Sequence, residues 1–199
     1  CPFVEIILPN TVVSIGNGAF KECSYLEHIT IPEGVTNVGT ETFYNCINLA
    51  SIELPTIIYN IDDYAFAYCG ELESIQLSNS LLSIGDWAFA NCGELKSIQL
   101  SNSLLSIGDW AFANCTKLSN IALPVSLESI GIYAFMECES ITSIVVPENI
   151  TSLEGTFYYC DNLAEVTLPS QLLTIGNSVF RHCIKLTEIT IPSTVKTID

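Results

Sequence analysis

The side chains with the clearest chemical potential in this sequence are cysteines, and they recur at a regular interval. Eight of the nine cysteines lie three residues after a phenylalanine: Cys23, Cys46, Cys69, Cys92, Cys115, Cys138, Cys160 and Cys183. Thiolates can bind metals, form disulfides or act as nucleophiles. The sequence has no C-x-x-C pair and only two histidines, His28 and His182, so it gives poor support for a zinc site.

The regular spacing of these eight cysteines favours a structural role. In a stack of parallel coils their Cβ vectors would run side by side, whereas a disulfide requires a specific torsion between the two Cβ atoms. Free cysteine also behaves as a small buried hydrophobe. We therefore predict a reduced, buried ladder of eight thiols, which fits a reducing setting better than an oxidising one. Cys1 is out of phase with the series, and we expect it to be the exposed cysteine.

Carboxylates form a second regular set, in which Asp63, Asp86 and Asp109 are 23 residues apart and Asp62 adjoins the first. Stacked carboxylates could bind Ca²⁺, which takes oxygen ligands. They could equally be N-caps that begin successive short helices. We favour capping, because Asn17, Thr40 and Asn177 hold the same position in other units.

The adjacent pair His182 and Cys183 suggests a cysteine nucleophile with a histidine base. However, Cys183 belongs to the buried series, and neighbouring residues on a helix point in different directions. We therefore expect no catalytic residue, no metal site and no cofactor, and we expect that the protein is not an enzyme.

The elements that position these side chains come from a repeat of 23 residues. It is marked by phenylalanines, the last two of which follow a one-residue deletion near Glu154: Phe20, Phe43, Phe66, Phe89, Phe112, Phe135, Phe157 and Phe180. A fixed period of this length is typical of leucine-rich-repeat solenoids, in which stacked units bury a continuous core. We predict that the phenylalanines and the in-phase cysteines form that core.

Each unit has the same internal pattern. Leucine, isoleucine and isoleucine at Leu26, Ile29 and Ile31 predict a short half-buried strand, which Pro32 ends. A glycine such as Gly39 follows a second apolar pair and suggests a positive φ at a corner. Helix-spaced apolar residues then predict a helical turn.

These elements predict one α/β-type solenoid domain over residues 1–199, with about nine coils in a right-handed, curved stack. Parallel first strands, ~4.8 Å apart, would form a β-ladder beside short second strands and short helical turns. The chain starts and stops inside a repeat, so we expect it to be a piece of a longer protein.

The pattern L-x-x-I-x-[IL]-P-x-x-[VL]-x-x-I-G-x-x-A-F-x-x-C resembles the BspA-like, treponeme-type leucine-rich repeat family, over the whole chain. This resemblance implies a cell-surface or secreted protein of microbes or protists that adheres to matrix proteins or cells. Its ligand would be a protein or a carbohydrate. The alternative is an intracellular or structural scaffold for protein assembly. Ser78 and Ser101 depart from the pattern at the proline position, and Asp62 departs at the glycine position.

Charge excludes two other classes of partner. The chain carries 22 acidic and 6 basic residues, for a net charge of −16, and the bases are scattered. Phosphate backbones and anionic lipids are bound by clustered Lys and Arg, so nucleic acid is not an expected partner. No apolar stretch approaches the ~20 residues that cross a bilayer, so we expect no membrane insertion by this segment.

An aromatic column is the most suggestive binding feature. Tyr64, Trp87, Trp110 and Tyr133 occupy one position of successive units, and other units place Gly18, Glu41 or Ser178 there. With Leu82 and Leu105 they could form an apolar contact patch. Alternatively, the rings could lie over neighbouring coils and stabilise the stack. The outward residues of the concave strand face, such as Ser97 and Gln99, are polar and almost uncharged, and offer a second candidate surface.

Overall fold

The chain returns to the same place every 23 residues in the computed structural model, which describes residues 1–199. Eight coils and the start of a ninth follow one another at residues 3–25, 26–48, 49–71, 72–94, 95–117, 118–140, 141–162, 163–185 and 186–199. We refer to them as coils 1 to 9. The predicted parallel solenoid is therefore confirmed.

Two short strands define two sides of the coils. The first strands, numbered with the second strands in chain order, are β1 (Glu5–Ile7), β2 (His28–Thr30), β4 (Ser51–Glu53), β6 (Ser74–Ile75), β8 (Ser97–Ile98), β11 (Ser143–Val145) and β13 (Glu165–Thr167). The second strands are β3 (Asn37–Val38), β5 (Asn60–Ile61), β7 (Ser83–Ile84), β9 (Ser106–Ile107), β10 (Ser129–Ile130), β12 (Ser152–Leu153), β14 (Thr174–Ile175) and β15 (Thr197–Ile198).

All pairing is parallel, but the two ladders differ in continuity. The second strands form two sheets, β3-β5-β7-β9-β10 and β12-β14-β15, interrupted once beside the one-residue deletion near Glu154. The first strands form three separate groups, β1-β2-β4, β6-β8 and β11-β13. Coil 6 has no first strand and makes only an isolated bridge between Asn120 and Ser97.

The third side of each coil is a series of reverse turns, so the predicted helical turns are wrong. Residues with positive φ recur at two positions four residues apart, exemplified by Trp87 (φ 57°) and Asn91 (φ 61°). Left-handed residues interrupt a right-handed helix. Backbone N–H groups instead alternate between a turn bond and a bond to the next coil: Ala90 N donates to Trp87 O at 3.1 Å, and Phe89 N to Ala111 O at 2.7 Å.

The core inside the turns is a ladder of phenylalanine rings. Neighbouring rings stack with centroids 5.2 to 6.0 Å apart, and the widest separations flank Phe157 in the coil that carries the deletion. Six of the eight rings have no exposed surface, whereas Phe20 and Phe180 in the first and last complete coils are half-buried. Each interior ring of the ladder is therefore buried between the rings of the two adjacent coils.

Seven cysteines are free and buried beside this ladder. Each thiol donates to the carbonyl of a phenylalanine in the preceding coil, as Cys92 Sγ does to Phe66 O at 3.2 Å. Burial raises the pKa of the Cys92 thiol to about 12 and that of Cys46 to about 11. These thiols are neutral hydrogen-bond donors at ordinary pH.

The prediction of eight reduced cysteines is wrong at one position, because Cys23 forms a disulfide with Cys1. Cys1 lies 22 residues before Cys23, the same interval that separates Cys138 from Cys160, so it occupies the ladder position that precedes coil 1. The two Cα atoms are 4.6 Å apart, within the range that a disulfide spans. Cys1 is exposed, as expected.

The corner glycines were also predicted for the wrong reason. Gly85 and Gly108 do not have positive φ; they permit a close approach of two coils. A Cβ at Gly108 would lie 2.5 Å from Asp86 Oδ1 and 2.6 Å from Asp86 N. Glycine is therefore required here because it has no side chain.

Candidate binding surfaces

The four residues of the predicted aromatic column form a continuous stack on the turn side. The rings of Trp87 and Trp110 are parallel, with centroids 4.9 Å apart, and Tyr64 stacks on Trp87 at 5.9 Å. Tyr133 continues the stack from Trp110 at 4.6 Å. Because each ring face is occupied by a neighbour, the half-buried column offers ring edges to solvent.

The turn side also shows a complementary pattern of side-chain size. In coils 3 to 5 the column residue is aromatic, and the residue three positions later is a buried alanine: Ala67, Ala90 and Ala113. Where the column position is not aromatic, the later position holds Lys21, Tyr44, Tyr158 or Arg181. Tyr44 and Tyr158 meet the two ends of the column edge-on, against Tyr64 and Tyr133. Large side chains at one position therefore accompany small ones at the other, so the turn side is covered by its own side chains.

Leu82 and Leu105, predicted as part of the same patch, are exposed but belong to another side. They immediately precede β7 and β9, and the two residues are 39% and 41% exposed. They thus flank the second-strand ladder, whereas the four rings lie on the turns that follow it.

The aspartate column does not cap helices, because there are none. Each carboxylate instead bonds to the following coil: Asp63 Oδ1 accepts from Asp86 N at 2.8 Å, and Asp86 Oδ1 accepts from Asp109 N at 2.7 Å. Asp109 likewise accepts from Ile132 N. Burial, and then the charge of Asp63, raise the pKa of the adjacent Asp62 carboxyl. No group of three or more potential ligands is placed to hold a metal ion.

His182 and Cys183 are not arranged as a nucleophile and its base. The Cys183 thiol is 8% exposed and donates to Phe157 O, and burial raises its pKa to about 11. The His182 ring is stacked on Tyr159, with centroids 4.1 Å apart. A reactive thiol needs a lowered pKa and access to solvent, and this one has neither.

The first-strand face has a different character. Its outward residues in coils 4 to 7 carry no charge: Ser74, Gln76, Ser97, Gln99, Asn120, Ala122, Ser143 and Val145. Ala122 is the shortest of them, and it lies in coil 6, which has no first strand. A cleft of about 550 Å³ opens there, lined by residues that include Gln99, Asn102, Asn120, Ala122 and Val125. The sequence signal for this cleft is the alanine that interrupts a column of longer side chains.

The serines that replace proline are well accommodated beside this face. Ser78 is buried and donates to Thr56 O at 2.8 Å, and Ser101 does the same to Asn79 O at 2.7 Å. Each hydroxyl also accepts a backbone N–H two residues later. The departures from the proline pattern therefore keep their polar groups satisfied. No segment of the structure forms a helix that is long and apolar enough to span a bilayer.

Several solved structures resemble this solenoid. The chain is 29% identical to the leucine-rich repeat protein of T. pallidum, over 93% of this chain and 78% of that one, with a TM-score of 0.62. It is 25% identical to the pneumococcal vaccine antigen PcpA, with a TM-score of 0.59 over 92% of this chain and 55% of that one. A leucine-rich repeat protein from Eubacterium ventriosum, at 17% identity and a TM-score of 0.50, covers 98% of this chain and 80% of its own and shares the fold.

Sequence comparison leads to the same family. No curated protein matches the chain significantly. The family model described as BspA type leucine rich repeat region, in six copies, matches residues 1–104 and 83–199. Because the repeat, the parallel coils and this match all extend over the whole sequence, the chain belongs to the BspA-type leucine-rich repeat family.

Proposed function

We propose that this chain is a non-catalytic recognition module of a cell-surface or secreted protein, and that it binds its ligand on the first-strand face. The observation that carries the proposal is the exposed, uncharged row of side chains across coils 4 to 7 of a chain whose net charge is −16. Extended faces of solenoids are typical binding surfaces. The likeness to PcpA, named as a vaccine antigen, supports a location that antibodies can reach.

The aromatic column predicted from the sequence is the competing surface. Tyr and Trp are frequent anchors at protein interfaces, and the column exposes the edges of Trp87 and Trp110. The first-strand face is the stronger candidate, because stacking already occupies the ring faces that a sugar or an apolar partner would cover.

An intracellular scaffold remains the second candidate function, and one observation favours it. Seven buried cysteines are unpaired, which is typical of reducing compartments. The disulfide between Cys1 and Cys23 favours the oxidising alternative. Burial explains how the seven thiols would survive outside a cell, because oxidation follows thiolate character and exposure.

A solid-phase binding assay tests the recognition function. Residues 1–199 would be titrated onto immobilised matrix proteins and onto cultured host cells, with heat-unfolded protein as the control. We expect saturable binding that a Gln76→Glu plus Gln99→Glu variant weakens and that Trp87→Ser plus Trp110→Ser leaves intact, provided that circular dichroism shows both variants folded. Binding lost only in the tryptophan variant would transfer the function to the aromatic column, and absence of binding to every surface would contradict the proposal.

A further inference from the structure

The centre of the first-strand face is a cleft with a specific geometric cause. The second outward position of the first strand is Gln76 in coil 4, Gln99 in coil 5, Ala122 in coil 6 and Val145 in coil 7. Ala122 leaves a gap between longer neighbours, and a second depression of about 280 Å³ adjoins the main one through Ala122 and Leu123. The main cleft, at about 550 Å³, has the size of a small-molecule site.

The backbone at this point has unused hydrogen-bonding capacity. In coil 7 the N–H of Val146 donates to Thr167 O at 2.9 Å, whereas the N–H of Leu123, at the same position of coil 6, donates to no acceptor in the protein. The first-strand ladder is thus open on the side of coil 6 that faces coil 7. Backbone donors without a protein partner are available to water or to a ligand.

The side chains of the cleft select a class of ligand. Gln99, Asn102 and Asn120 present amides, which donate and accept at once, and Ser97 adds a hydroxyl. Val125, 86% exposed, supplies an apolar wall together with Ala122. No charged residue lines the main cleft, and none of its lining residues is Trp, Tyr or Arg, the usual anchors of protein interfaces.

From this lining we infer that the Ala122 cleft binds a neutral oligosaccharide. Sugar hydroxyls are both donors and acceptors and match paired amides, and the apolar face of a pyranose fits Ala122 and Val125. An anionic glycan would find no cation there and would meet a strongly acidic protein. This inference rests on the proposed function, whose ligand class and site it names.

Titration with neutral oligosaccharides tests the inference directly. Cellopentaose, maltopentaose and chitopentaose would each be added to residues 1–199 while the side-chain amide signals of Asn and Gln are followed by NMR. We expect at least one sugar to shift the Gln99, Asn102 and Asn120 signals saturably. Ala122→Gln should weaken that binding at least about tenfold, because it fills the cleft. The variant keeps a residue that coils 4 and 5 already accommodate at this position.

Thr30→Gln is the matched control, because it introduces the same side chain at the same position of coil 2 and should leave sugar binding unchanged. The inference is overturned if no sugar shifts these signals, or if folded Ala122→Gln binds as the parent does. If Ala122→Gln abolishes binding to matrix proteins or cells while no sugar binds, the ligand is a protein; the sugar inference then fails and the recognition function stands. If sugar binds but no matrix protein or cell does, the inference stands and adhesion fails.

Discussion

The turn side and the first-strand face of the same coils use the repeat in opposite ways. On the turns, the phenylalanine rings, the thiols and the tryptophan rings each find a partner in a neighbouring coil. On the first-strand face, coil 6 lacks a strand, and Ala122 breaks the column of longer side chains. Where the coils repeat strictly, equivalent side chains bond to one another and few groups are left for another molecule. The groups that could bind a ligand therefore lie where one coil differs from the others.

Alkaline pH should lower the free energy of unfolding most strongly through the turn side, where the free cysteines are buried. Burial raises the thiol pKa values, from an ordinary value of 9.0 to about 11 at Cys46 and about 12 at Cys92. The stability linked to each thiol is therefore complete below pH 9 and is lost as the pH rises toward the folded value, because only the unfolded chain ionises. We expect the free energy of unfolding to fall by about 1 kcal/mol per thiol between pH 8 and pH 10, summed over the free cysteines.

Urea unfolding at several pH values measures this slope. Cys92→Ala is the control, since it should reduce the pH dependence by one thiol's share while costing some packing. A free energy of unfolding that stays flat from pH 8 to pH 10 would show that the thiols ionise in the folded state.

Phe89→Ala should cause the next largest loss of unfolding free energy. The ring is fully buried and stacked on both sides, so its loss should cost about 3–5 kcal/mol and also weaken the neighbouring coils. Phe180→Ala is the matched control, because this half-buried ring stacks on one side only, and it should cost clearly less. Equal losses in the two variants, measured by urea unfolding, would mean that stacking within the ladder is not what stabilises the core.

The sequence predicted the ladders but not the backbone that builds them. Phenylalanine and cysteine at a fixed interval identified the core, because stacked coils bring equivalent residues together. Apolar residues three and four apart, such as Ala88 and Cys92, also occur in helices, and the pattern does not reveal that the N–H of Phe89 bonds to the next coil. The sequence places Cys1 out of phase, because the other 22-residue interval between successive cysteines lies only at the deletion. The Ala122 cleft depends on one short side chain, and periodicity alone gives it no special weight.

The aromatic column should prove more structural than functional. Trp87→Ser with Trp110→Ser removes three stacking contacts, each worth about 0.5–1.5 kcal/mol beyond the buried area, so we expect a loss of about 2–4 kcal/mol. Serine tolerates this backbone, since Ser178 has a φ of 59° at the same position. Unchanged stability with lost ligand binding would return the column to the role predicted from the sequence.

Substitutions of the corner glycines should have a smaller effect on stability. They test whether glycine is needed there because two coils approach closely or because of its backbone conformation. A Cβ at Gly39 would lie 2.5 Å from Asn17 Oδ1 and near no backbone atom, whereas at Gly108 it would meet backbone atoms of coil 4. Gly39→Ala should therefore cost about 1–2 kcal/mol, and Asn17→Ala should restore most of that loss. Gly108→Ala with Asp86→Ala should show no such rescue. If the first pair also fails to recover in thermal unfolding, the side-chain clash is not the reason for glycine.

Amide hydrogen exchange tests the contrast between the turn side and the first-strand face most directly. Val146 and Leu123 hold the same position of the first strand in adjacent coils, and only Val146 donates a hydrogen bond to the next coil. On the turn side, Phe112 N donates to Ala134 O at 2.8 Å. We predict that Phe112 and Val146 exchange at least about 100-fold more slowly than Ala122 and Leu123. Equal protection of all four amides would contradict an open coil 6, because coil 6 would then be as closed as coil 7.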